Sequence, residues 1–320
     1  MRLHSQEGLF CDHIHVAGFD KLRVDKRLVD AIVIESLVGK LGGRFFTPIL
    51  IKVAKILKIK PALPYIEMHV VDHCNLNCKG CGHFSPIAEK WFLNPDKNEK
   101  DLERLKKLFS TIHTIRLMGG EPLLHPEIER ILLQTRAFFP KSDVRLVTNG
   151  IILGQMPESF WETCRTCSVN LDITVYPPLE KKVKSLIELA RSEKVRLAIR
   201  NTNYFYAFYH SQCASDSKLG DQTCSSGWHI CPNLRDGKIY SCPIPAYIFH
   251  FNLRFGTSIP SDGYVKIYTP NLTGWDVREA MRKFPSACRY CASRMNNLPK
   301  FKWASSTLTI TDWKTKGTND

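Results

Sequence analysis

Residues 72–86 read DHCNLNCKGCGHFSP and place Cys74, Cys78 and Cys81 three and then two residues apart, directly after the apolar run YIEMHVV. Three thiolates fall one short of a tetrahedral zinc site, which His73 or His83 would complete. Shared out over an iron-sulfur cluster, they ligate three irons and leave the fourth open to a small molecule.

Two short stretches further on also carry chemistry. MGGEP supplies Gly119, Gly120, Glu121 and Pro122, and VTNG supplies Thr148, Asn149 and Gly150. Glycines there permit close backbone approach, and Glu121 or a neighbouring carbonyl can accept from an ammonium. Each stretch alone reads as a strand-end turn. A second cysteine group, Cys224, Cys242, Cys288 and Cys291, is enough to ligate every iron of another cluster, or to hold structural zinc. Cys231, followed by Pro232, competes with Cys224 for the first position. Cys164, Cys167, Cys11 and Cys213 read as buried or incidental thiols.

The elements that position these residues follow from periodicity. β-rich runs at 66–71, 114–118, 143–148, 169–175 and 195–200 alternate with amphipathic stretches that have Pro or polar residues near several starts. That succession predicts a parallel β/α domain with its chemistry at the carboxyl ends of the strands. Tyr176 and Arg200 stand at two such ends and are candidate catalytic or substrate-contacting residues; Arg200 suits a phosphate or carboxylate. Beyond Gly220 the pattern changes to a hairpin turning at Asp236 and Gly237, then a short helix ending near Pro285. Three regions result: a basic helical extension over 1–62, a core over 63–220 and a small cysteine-bearing domain over 221–320.

Apolar and charged fractions of 43% and 24% are those of a globular chain. Met1 to Leu9 lacks the pattern of a secretory signal, and no apolar run is long enough to span a membrane, so the expected location is the cytoplasm. Twelve cysteines there read as metal ligands or reactive thiols rather than disulfides. The net charge of +14 is concentrated at the two ends, with 11 basic against 6 acidic residues in 1–62 and 13 against 7 in 221–320. It suits an anionic substrate or an acidic redox partner. The lysine-bearing stretch FFTPILIKVAKILKIK reads as a helix packed on its own domain with its lysines in water, a membrane surface being the alternative.

In this order, the cysteine triplet, MGGEP and VTNG resemble the radical S-adenosylmethionine (SAM) superfamily over about residues 65–210. The resemblance implies a partial (β/α)6 barrel with a helical N-terminal extension and a small C-terminal hairpin-helix iron-sulfur domain. It implies a 4Fe-4S cluster on Cys74, Cys78 and Cys81, whose open iron takes the amino and carboxylate groups of SAM. Reductive cleavage then gives a 5′-deoxyadenosyl radical that removes hydrogen from an unactivated carbon. Gly119, Gly120, Glu121 and Pro122 match the element that contacts the methionine portion, and Thr148 and Asn149 the segment that reaches the ribose. Gly80 departs from the family: many members carry an aromatic residue there, near the adenine.

The C-terminal cysteines resemble the Twitch/SPASM extension, which implies a second, auxiliary 4Fe-4S cluster on Cys224, Cys242, Cys288 and Cys291. Such a cluster accepts an electron after hydrogen abstraction, so the resemblance implies oxidation or related modification of a small polyol, sugar or aminosugar. A flavodoxin- or ferredoxin-like reductant is implied as partner. A peptide-modifying maturase is the alternative enzyme. An iron-sulfur electron carrier or metal-stabilised binding module would not need MGGEP and VTNG, and no RNA-binding module accompanies the positive charge.

Overall fold

A computed structural model describes residues 47–207, 209, 231–291 and 300–314. Most of the expected helical extension, residues 1–46 with Cys11, lies outside the described residues, as do Cys213 and Cys224. After α1 (Thr47–Ile56) the expected alternation follows: β1 (Leu63–Val71), α2 (Pro95–Leu108), β2 (Ile112–Gly119), α3 (Ile128–Phe138), β3 (Asp143–Thr148), α4 (Glu158–Thr166), β4 (Asn170–Val175), α5 (Val183–Ser192) and β5 (Arg196–Asn201). Each strand from β1 to β5 pairs in parallel with the next.

Local sequence explains these elements. In β1 every residue but Pro64 is buried, as befits a central parallel strand covered on both faces. The Asn94 side chain caps α2 by accepting from the Asp96 and Lys97 amides, and Pro95 opens the helix where no amide hydrogen is needed. Leu102, Leu105 and Leu108 give α2 its buried face.

The remaining elements are β6 (Tyr204–Tyr206), β7 (Asn233–Arg235), β8 (Lys238–Tyr240), α6 (Pro243–Phe255), β9 (Tyr264–Lys266), α7 (Gly274–Ala280) and β10 (Lys300–Lys302). The main sheet runs β5-β4-β3-β2-β1-β7-β8-β9. β7 lies parallel to β1, and the expected hairpin turns through Asp236 and Gly237, both at positive φ, into antiparallel β8. Among the described residues the architecture is thus a mixed open sheet with flanking helices. Five consecutive β/α strands form one side of it, and the sixth parallel strand, β7, stands beyond β1 rather than after β5. No barrel closes among the described residues, because β5 is an edge strand and β6 instead pairs with β10.

The main core fills the space between the sheet and its helices and includes Cys164 and Cys167, each 1% exposed. A second core gathers Phe84, Tyr240, Tyr247, Phe251 and Trp313. α1 is tied to α7 by the Lys55–Asp276 ion pair at 2.6 Å, while Ile56 and Leu57 are exposed. Among the described residues no helix is long and apolar enough to cross a membrane.

Candidate active site

The carboxyl ends of β1 to β5 surround a cavity of about 340 Å³. Cys74, Cys78 and Cys81 line it, together with Gly80, Gly119, Gly120, Thr148, Asn149, Tyr176 and Arg200. Burial pushes the Cys74 and Cys78 thiols up, Cys78 to about 12. Charge on Glu121 adds to the effect at Cys74, and charge on Cys81 at Cys78, where a hydrogen bond from Trp303 opposes it. Among the described residues no group of three or more His, Cys, Asp or Glu gathers on a single ion site. A cluster makes no such demand, since each thiolate takes a different iron.

Glycine is required where the β2 end meets the cysteine loop. A Cβ on Gly119 would collide with the Val71 carbonyl oxygen, and one on Gly120 with that of His73. The close approach lets the Gly120 and Glu121 amides donate to those same oxygens, at 2.8 and 3.0 Å. Glu121 and Pro122 stand behind this wall. The fully buried Glu121 carboxylate accepts from the Leu123 amide (3.0 Å), Thr148 Oγ1 (2.6 Å) and the Asn149 amide (2.8 Å), so it braces MGGEP against VTNG. Burial raises its carboxyl to about 7 despite these three donors. Asn149 in turn reaches the cysteine loop, donating to Asn75 Oδ1 at 2.7 Å and Cys74 Sγ at 3.6 Å.

The cavity also has an ionic and hydrogen-bonding floor that the candidate residues do not include, except for Arg200 and for His83, named above only as a zinc ligand. Glu67, His83, Ser85 and Arg116 line it. Asp172 receives Arg116 Nη2 at 2.9 Å and lies 3.7 Å from Arg200 Nη2, and Glu67 accepts from Tyr65 and Asn233. Arg116 Nε and Ser85 Oγ are buried polar atoms with no hydrogen-bond partner, and both residues line the cavity. The available signal was an ionisable residue inside an otherwise apolar strand, as in YIEMHVV, TIRLM and LDITV. Tyr176, half-buried, stacks on Phe205 with centroids 5.8 Å apart, and burial lifts its phenol well above the usual range.

The C-terminal segment 300–314 lies against the cysteine loop. Lys79 N donates to Ala304 O at 2.9 Å and Ser306 N to Asn77 O at 2.7 Å. Trp303 Nε1 donates to Cys78 Sγ at 3.2 Å and Trp313 Nε1 to Cys81 O at 2.9 Å. The Phe301 ring occupies the space a side chain at Gly80 would need, its Cζ 2.5 Å from that Cβ position.

Of the second cysteine group, Cys242 occupies the N-cap position of α6 without a side-chain capping bond and packs on the second core, and Cys288 and Cys291 lie in and after a short 3-10 turn. Cys231 lines the main cavity and is 6% exposed. Contrary to the expectation for these thiols, its sulfur is in a disulfide.

Comparison with known proteins places the class. Residues 68–201 match the model of the Radical SAM superfamily, and the chain carries a radical SAM catalytic domain. GTP 3′,8-cyclase of Microcystis aeruginosa is 32% identical over 116 residues, 34% of this chain and 35% of the relative. GTP 3′,8-cyclase of Clostridium acetobutylicum is 33% identical over 114 residues, with 34% and 35% covered. The chain thus matches about a third of the length of these curated relatives. Among solved structures, BtrN in complex with AdoMet and 2-DOIA gives a TM-score of 0.44 at 16% identity, covering 75% of this chain and 95% of that one. The anSMEcpe structure with bound AdoMet gives 0.37 at 19%, with 43% of each chain covered.

Proposed function

We propose that the chain cleaves SAM reductively and abstracts hydrogen from a carbon of a small polyol, sugar or aminosugar, oxidising or otherwise modifying it. The observation that carries this reading is one cavity lined both by the three cysteines and by the ionic and hydrogen-bonding side chains of Glu67, His83, Ser85, Arg116 and Arg200. The donor set fits a cluster: three thiols of one loop face a common space, and glycines at 119 and 120 bring backbone close to it. Cys74, Cys78 and Cys81 would hold that cluster; Gly119, Gly120, Gly80, Thr148 and Asn149 would hold SAM. When bound, the two supply a 5′-deoxyadenosyl radical.

The chain's own residues do the rest. Glu121 fixes the relative position of the two cofactor loops through its three accepted bonds. Arg116 and Arg200 oppose Glu67 and Asp172, which leaves the floor close to charge balance and suits hydroxyl- or amine-bearing ligands. The unpartnered Arg116 Nε and Ser85 Oγ are groups a bound hydroxyl would satisfy. An auxiliary cluster on Cys242, Cys288, Cys291 and Cys224 belongs to the same proposal, as does a flavodoxin- or ferredoxin-like reductant.

The test is anaerobic reconstitution with SAM and a strong reductant. Expected are 5′-deoxyadenosine, and deuterium transfer into it from labelled polyols or aminosugars. A fully loaded protein that cleaves no SAM rejects the reading, and transfer from peptides alone replaces its substrate. R200M should lower transfer from the substrate at least tenfold, about 1.4 kcal/mol of transition-state binding, while substrate-independent SAM cleavage continues.

A further inference from the structure

We propose that Trp303 is the hydrogen-bond donor that sets the reduction potential of the cluster held by Cys74, Cys78 and Cys81, an inference that rests on the cluster reading above. The Trp303 indole Nε1 lies 3.2 Å from Cys78 Sγ. Cys78 is only 7% exposed, so water does little to solvate its sulfur. An indole N–H donates and cannot accept, so its direction is fixed.

The donor is held in place by the chain around it. Trp303 N donates to Asn203 O at 2.8 Å, Lys79 N donates to Ala304 O at 2.9 Å, and Ser305 bridges Cys78. β10 is zipped antiparallel to β6 through Lys300 to Tyr206, Phe301 to Phe205 and Lys302 to Tyr204. Buried Asp312 accepts from Ser306 Oγ and from the Thr307 and Leu308 amides, which fixes the far side of the segment. Trp303 and Phe301 are not among the residues that line the cavity, so the indole bonds the sulfur without occupying the ligand space.

A hydrogen bond to a cluster thiolate withdraws electron density and favours the reduced, more negative state, so it raises the potential. The three loop sulfurs are not equivalent in this respect. Cys74 Sγ accepts from the Leu76 amide at 3.3 Å and more distantly from Asn149, donors that belong to the radical SAM domain itself. Cys78 takes its donor from a segment 225 residues away. Trp303 is therefore a positioning residue acting through Cys78, supplied by the C-terminal part of the chain.

The experiment compares the full chain, W303F, and Trp303→β-(3-benzothienyl)alanine, an isostere in which sulfur replaces the N–H. Each is loaded anaerobically with iron and sulfide and titrated potentiometrically, following the electron paramagnetic resonance signal that changes when SAM is added. Both variants are expected to keep wild-type iron content and melting temperature and to shift the midpoint to lower potential. A loaded cluster whose midpoint does not move in the isostere overturns the proposal, even if W303F loses iron, because the ring then acts by packing alone. A wild-type protein that assembles no cluster on these cysteines overturns the cluster reading and this inference with it.

Discussion

Glu121 illustrates how a residue of the cofactor motif can act without touching the cavity. Its carboxylate is buried with three donors and no cation, and burial raises its pKa to about 7. An acid whose folded pKa exceeds its unfolded value binds its proton more tightly in the native state. Its contribution to stability is present below the unfolded value near 4.5 and is lost as pH rises through about 7. With each unit worth about 1.4 kcal/mol, the wild type should lose about 3 kcal/mol relative to E121Q across that window. Urea melts of both apo proteins at pH 4.5, 6 and 7.5 check this through the slope, which is separate from any constant cost of placing an amide against the Asn149 N–H. Parallel profiles would remove Glu121 as a titrating brace.

Between elements, the join of the hairpin to the radical SAM domain rests more on side chains than on strand pairing. β7 meets β1 over only two residue pairs. At the end of β1, buried Asp72 accepts from Arg235 Nη1 at 2.5 Å and faces His250 Nε2 at 3.1 Å. Burial disfavours its charge, but the His250, His69 and Arg235 hydrogen bonds hold its carboxyl well below the usual range. Arg235 also lies over Trp91, at 4.1 Å from the ring centroid. D72A strands that guanidinium in the interior and should cost about 3–5 kcal/mol in urea denaturation. D72A/R235M removes both charges and should recover a large part of the loss; a double variant no more stable than D72A would show that the pair is not what holds the join. The five β/α strands and the Asp236-Gly237 turn were legible in the sequence because period-two runs and left-handed turn residues are local signals. The attachment of β7 beside β1 was not, since three-residue strands carry no periodicity and Asp72 and Arg235 lie 163 residues apart.

At the scale of the whole molecule, the cysteine loop is held between the carboxyl ends of the sheet on one side and segment 300–314 on the other. The triplet and the two strand-end motifs were readable from spacing alone. The second wall was invisible to it, because its contacts with the cysteine loop join residues more than 200 positions apart. Trp313 connects that wall to the second core: it is fully buried, it lies among Phe84, Phe251 and Phe255, and its indole donates to Cys81 O. W313A removes both a large buried ring and the loop's hydrogen bond and should cost about 3–5 kcal/mol. W313F keeps most of the ring and loses one of two donors to Cys81 O, the Phe84 amide remaining at 3.0 Å, so it should cost only about 0.5–1.5 kcal/mol. Because the loop sits on this core, both variants, once reconstituted with the proposed cluster, should release iron faster than wild type under a chelator, in the same order as their loss of stability. Measuring the melting temperature and the rate of iron release for all three proteins decides the matter. If W313A destabilises the fold while iron leaves at the wild-type rate, the second core supports the chain but does not hold the cysteine loop.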